Sequence, residues 1–287
     1  MKPGMEFPRK GGSGRPKSAP TRFARTPELL ESSRKGGNDP RFHRGSPERE
    51  FMVKVGCCGF GVARARYYKN FEVLEIQKVF YQFPNLETIL KWREEAPKGF
   101  EFSLKASQLI THLPTSPTYR KLGYSIPDKE KPEYGFFKPT DAVFEAWEKT
   151  LKMAQLLETK IVIFQMPPSF HPTVENKRNM RKFFRKIKRR GLILIWEPRG
   201  DWDRKEIKSV CYELGLIHCV DPFKDETVSG EFSYFRLHGI SGYNYRYTDR
   251  DLRKLKVKCE EKSEIYCMFN NVYMFEDASR FKKMVGR

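Results

Sequence analysis

The chain has 287 residues, 39% apolar and 32% charged, with a formal net charge of +19. That length and apolar content suffice for one large buried core, whereas no run of ~18 apolar residues exists, so a membrane-spanning helix is excluded. The basic, polar N-terminus lacks the apolar stretch of a secretory signal, so a cytoplasmic protein is expected, and the positive balance points to an anionic small molecule or nucleic acid as partner.

Residues 1–51 hold 12 Lys/Arg against 6 Asp/Glu and are built from stretches such as GGSGRPKSAP and RKGGNDPRFHRGSPE. With no sustained apolar period they are expected to form a disordered basic tail. Met52, directly before the first apolar run, is an alternative start. Residues 52–287 then form the folded domain.

Eight short apolar runs follow, and almost every one ends in residues that a buried strand ordinarily excludes. They are VKVGCC (to Cys58), VLEIQ (Glu75, Gln77), FEFSLK (Lys105), IVIFQ (Gln165), LILIWEPR (Glu197, Arg199), IHCVD (Asp221), FSYFRLH (Arg236, His238) and IYCMFNN (Asn270, Asn271). Helical stretches separate most of them: a turn near 64–70, a helix capped by Asn85, and one opening after Thr140. Further helices are expected near 174–190, 203–215, 248–261 and 276–285. Strands alternating with helices predict a parallel sheet, and eight such units predict an α/β fold, an irregular (β/α)8 TIM barrel with its chemistry at the C-terminal strand ends.

Two connections depart from a regular barrel. Residues 107–139 are punctuated by proline and read as a long structureless segment, a candidate lid. PFKDETVSGE, between strands six and seven, is too short for a full helix. On the helix near 174–190, Met180, Phe183, Phe184 and Ile187 make one buried face, and the cations around it read as an outer, solvated surface.

Strand parity places the polar endings on common faces. Tyr234, Arg236 and His238 share a face, as do Glu197 and Arg199 with Ile195, Gln165 with Ile163, and Asp221 with Cys219. If those faces point inward, Glu75, Lys105, Gln165, Glu197, Arg199, Asp221, Arg236 and His238 gather at the mouth. Such a set suits acid/base work on an anion, with Lys105, Arg199 and Arg236 as clamps and His238, Glu197, Glu75 and Asp221 as the catalytic candidates. GYNYRY (242–247) adds Tyr243 and Tyr245, which either stack on bases or sugars or pack a cover on the barrel.

A zinc, manganese or magnesium site could draw on Glu75, Glu197, Asp221, His238 and His112. A divalent metal is not favoured, because no HxH or HExxH spacing occurs and the clamp cations compete for the same carboxylates. No GxGxxG, P-loop or GxSxG motif is present, so no nucleotide cofactor is expected. The six cysteines show no CxxC spacing and read as buried structural thiols.

Several segments together resemble the YecE-like family, domain of unknown function 72. They are GCCGF (56–60), VLEIQKVFYQFPNLETILKWREEAPKGFEFSLKASQLITH (73–112), FQMPPSF (164–170), WEPRG (196–200), YFRLHG (234–239) and MFNNVYMFEDA (268–278). The resemblance implies a TIM barrel and adds Tyr81, His112, Asn270 and Asn271 to the substrate-binding candidates, beside Lys105, Gln165, Arg199 and Arg236. CCGF departs from the TSGW-like form of bacterial relatives, so no role is transferred to that strand end. The leading expectation is an enzyme acting on a phosphorylated or nucleic-acid substrate. The alternatives are an isomerase or lyase of a small sugar or sugar phosphate, and a non-catalytic nucleic-acid or protein binding module.

Overall fold

The structure, a computed structural model, describes residues 52–260 and 263–286. The basic tail expected over residues 1–51 lies outside them. Eight parallel strands close in sequence order, with β1 (Met52–Cys57) hydrogen-bonded to both β2 (Val73–Ile76) and β8 (Glu264–Phe269). Between them stand β3 (Glu101–Lys105), β4 (Ile161–Gln165), β5 (Ile193–Glu197), β6 (Ile217–Val220) and β7 (Ser233–Leu237). All eight expected strands are present.

The period of two along each strand divides the apolar residues into two cores. Val73, Ile161, Ile163, Ile195, Ile217, Cys219, Tyr234, Tyr266 and Met268 fill the barrel. The alternate residues, among them Leu74, Leu104, Phe164, Trp196, Leu237 and Phe269, face the helices. Each fully buried side chain of this kind contributes roughly 1.5–3 kcal/mol. At the N-terminal end Lys54 is ion-paired with Glu101 at 2.7 Å and Glu264 at 2.8 Å, which closes the barrel floor with charge.

The helices are α1 (Arg64–Asn70), α2 (Lys78–Tyr81), α3 (Leu86–Glu95), α4 (Gln108–Thr111), α5 (Asp141–Leu156), α6 (Val174–Lys186), α7 (Arg204–Leu214), α8 (Asp249–Cys259) and α9 (Met274–Val285). Asn85, Thr140, Thr173, Asp203 and Thr248 cap their first turns through side-chain oxygens. Met180, Phe183 and Phe184 are the buried face of α6, while its Arg181 and Arg185 share Glu213 of α7, at 2.8 and 2.7 Å. No helix follows β6, as its short connection predicts. Among the described residues no helix is long and apolar enough to cross a membrane.

Residues 107–139 correct the expectation of a structureless connection. They carry α4 and two short 3₁₀ turns, Pro117–Lys121 and Lys131–Glu133. Gly135 N–H donates to Leu109 at 2.9 Å and Phe137 N–H to Ile110 at 2.9 Å, so the end of the segment is bonded to its start. Phe137 is buried against Phe164, Phe170, Phe183 and Phe184. The missed signal is that spacing alone cannot show an apolar pair, Phe136 and Phe137, held at positive φ to reach a distant core.

Candidate functional site

Glu75 of β2 and Arg236 of β7 meet across the barrel, both fully buried. Arg236 is ion-paired with Glu75, its Nη2 2.9 Å from Oε1, and its Nε donates to Oε2 at 3.1 Å. Its Nη1 donates to Gln165 Oε1 at 2.8 Å and also to Glu197 Oε2. Below this pair, Tyr234 OH donates to Glu75 at 2.9 Å and is itself 2.7 Å from Ser103 Oγ. Burial alone would discharge Arg236, but Glu75 and Glu197 outweigh it and hold the guanidinium well above its ordinary pKa.

The second carboxylate faces outward along the mouth. Burial works against the charge of Glu197, yet Arg236, Arg199 and His238 together hold it well below the usual carboxylate range. Arg199 gives it two bonds, Nε at 2.9 Å and Nη2 at 2.7 Å. His238 Nε2 lies 3.1 Å from the same oxygen and also touches Arg199, while Asn270 engages Nδ1 at 3.1 Å. Burial, with Arg236 and Arg199 adding to it against Glu197, lowers His238 to about 4, so its ring is neutral at pH 7.

Arg236 and Arg199 balance the charges of Glu75 and Glu197. Lys105 stands outside that balance. It ends β3, is 5% exposed, and among the described residues makes no side-chain hydrogen bond or ion pair. Its Nζ lies over the Phe80 ring, 3.5 Å from the centroid. Burial and then Arg236 lower its pKa to about 7, against the opposing pull of Glu75 and Glu197. The face of Phe80 favours the ammonium, so the group is poised between its two forms.

His112 sits edge-on to Phe80 with ring centroids 5.0 Å apart, its Nδ1 2.8 Å from Thr111 Oγ1. Burial, with the nearby charges of Lys105 and Arg199, pushes it down to about 3. Asp221 accepts from the backbone N–H groups of Phe223 at 3.1 Å and His238 at 3.3 Å, and burial raises its pKa.

Two cavities open at this end. One, of about 370 Å³, is lined by Glu197, Arg199, Trp202, Asp221 and His238 among others. The other, of about 500 Å³, lies between Gln165, Arg199 and the segment from His112 to Thr118. Both are bounded by Arg199 and Pro168. Arg199 keeps about a third of its side chain exposed (32%), whereas Arg236 keeps none.

The structure thus brings Glu75, Lys105, Gln165, Glu197, Arg199, Asp221, Arg236, His238 and Asn270 to one mouth, with His112 beside it. Four other candidates make no side-chain hydrogen bond to that cluster among the described residues. Tyr81 lies under Lys121, whose Nζ is 4.7 Å from its ring centroid. Tyr245 OH donates to Asp251 at 2.7 Å, and Asn271 is bonded to Tyr245 O and Asp277, each at 2.8 Å. Tyr243 is exposed on the separate 241–246 loop. That loop leaves β7 through Gly239, at φ +86°, where a Cβ would meet Gly242 O at 2.1 Å. Ser103 and Tyr234, legible from parity with Lys105 and Arg236, join the network as supports. Phe80 was hidden, because a four-residue helix has no period to read.

Among the described residues no three His, Cys, Asp or Glu side chains converge as a metal-ligand set. Both oxygens of Glu75 and of Glu197 are instead directed at guanidinium groups.

A closed (β/α)8 barrel with a charged, cavity-bearing C-terminal mouth is the class that fold and site define. The chain belongs to the family described as "Protein of unknown function DUF72", which matches residues 63–287. A DUF72 family protein from Enterococcus faecalis superposes with a TM-score of 0.62 at 20% identity, over 83% of this chain and 99% of that one. One from Thermotoga maritima gives 0.61 at 21% identity, over 82% and 100%. A xylose isomerase domain containing protein from Salmonella typhimurium gives 0.52 at 11% identity, over 83% and 97%. At these identities the likeness is one of fold. No curated protein matches the chain in sequence.

Proposed function

We propose that this protein is an enzyme performing acid/base chemistry on a small phosphorylated molecule at the C-terminal mouth of the barrel. The observation that carries the reading is Arg199, a guanidinium that walls both mouth cavities and keeps a third of its surface free. Cavities of about 370 and 500 Å³ have the size of small-molecule sites, and residues of the long connection between His112 and Thr118 form one side of the second. Arg199 holds the phosphate through its outward N–H groups. His238, neutral and backed by Glu197, accepts a proton, and Asp221, whose burial favours the protonated form, returns one. Proton movement beside a carbonyl, the step shared by isomerases and lyases of sugar phosphates, is the reaction class this set fits.

Thermal unfolding of wild type and Arg199→Gln is measured with inorganic phosphate, a panel of sugar phosphates, and a labelled DNA duplex. The reading predicts a rise in wild-type Tm with a phosphate ester that the variant loses. Duplex binding that falls steeply with salt, persists in Arg199→Gln and is accompanied by no response to any small phosphate would overturn it in favour of nucleic acid.

A further inference from the structure

Among the described residues, Lys105 is the cation at the mouth that no carboxylate pairs. The charges facing it from the neighbouring elements are Arg236, Glu75, Glu197 and Arg199, with His112 beside them, yet none bonds to its Nζ. A buried lysine kept only for structure is expected to have its charge paired. This one instead ends a barrel strand at the functional end, against an aromatic face shared with His112, a wall of the larger cavity. We propose that Lys105 is a nucleophile that forms an imine with the carbonyl carbon of a small phosphorylated aldehyde or ketone. The assignment rests on the mouth being an active site for a small phosphate ester, and it names the substrate class.

The Nζ lone pair forms the C–N bond while the carbonyl π pair moves to oxygen, which takes a proton. The nitrogen sheds one proton, the hydroxyl takes another and leaves as water, and the nitrogen lone pair closes the C=N bond. One proton is consumed in all, and the products are a protonated imine and water. That imine draws electrons from the adjacent carbon, so a proton there is lost at lower cost than from the free carbonyl compound. At pH 7.5 a lysine titrating near 7 presents, on the order of, a hundredfold or more free amine than a surface lysine near 10.5.

The test is reductive trapping with glycolaldehyde phosphate and cyanoborohydride, followed by peptide mapping. The adduct is expected on Lys105, forming at least about tenfold faster than on surface lysines, with a pH profile that rises through about 7. Inorganic phosphate slows it, and Lys105→Arg abolishes it while keeping the Tm rise with phosphate. Adducts confined to surface lysines, in a wild-type protein whose Tm still rises with phosphate through Arg199, overturn the imine and leave the acid/base reading standing. Absence of both the Lys105 adduct and the phosphate response overturns both. Mapping on wild type decides the matter even where the Lys105→Arg chain does not fold.

Discussion

Arg236 binds two carboxylates and an amide from the floor of the mouth, and none of its surface reaches solvent. Its charge is therefore structural in effect: it orients Glu75, Gln165 and Glu197, and through Glu197 it fixes Arg199 and His238. Glu75→Gln leaves that guanidinium short of a counter-charge and is expected to cost about 3–5 kcal/mol in urea unfolding. Tyr234→Phe removes one bond to Glu75 and is expected to cost only about 1–2 kcal/mol, with the fold and the phosphate response retained. Strand parity made these residues legible as one cluster. Which cation would be consumed was not legible, because Lys105, Arg199 and Arg236 end their strands in the same pattern and differ only in which carboxylates lie within reach across the barrel.

At the scale of elements, the strands bring polar endings to one end because parallel strands in a closed barrel all point the same way, and a period of two keeps each ending on the inner face. The connection between β3 and α5 is different in kind. Its prolines describe a loop, but Phe137, at φ 53°, anchors it in the helix layer, and Gly135 passes so close to His112 that a Cβ would lie 2.3 Å from its carbonyl oxygen. Phe137→Ala is expected to lose about 3–5 kcal/mol of packing. Because that anchor holds the wall of the larger cavity, limited proteolysis is expected to cut the variant within residues 114–133 under conditions that leave wild type intact. Equal cleavage rates would mean that the hydrogen bonds to Leu109 and Ile110 hold the segment without the ring.

On the scale of the barrel, three of the described histidines are held neutral: His112 at about 3, and His218 and His238 at about 4, each lowered first by burial. The unfolded chain protonates them near 6.5, so below that pH it binds more protons than the native state, and stability falls as pH falls from 6.5 toward 4. Three such groups give a slope of at most about 4 kcal/mol per pH unit near pH 5. Urea midpoints measured between pH 7 and pH 4 are expected to show this decline, and His238→Asn to flatten it by roughly a third. A midpoint that does not move across that range would mean the rings are protonated in the folded protein.

By itself the sequence determined the eight strands, their order and the face on which each polar ending lies, because hydrophobic period and helix caps act between residues close along the chain. Only the tertiary structure decided which charges neutralise one another, that Arg236 is enclosed while Arg199 faces two cavities, that residues 107–139 are built as a wall, and that Lys105 pairs with no carboxylate among the described residues. Those outcomes depend on distances of about 3 Å between strands far apart in the chain, and hydrogen bonding and desolvation change steeply at that range.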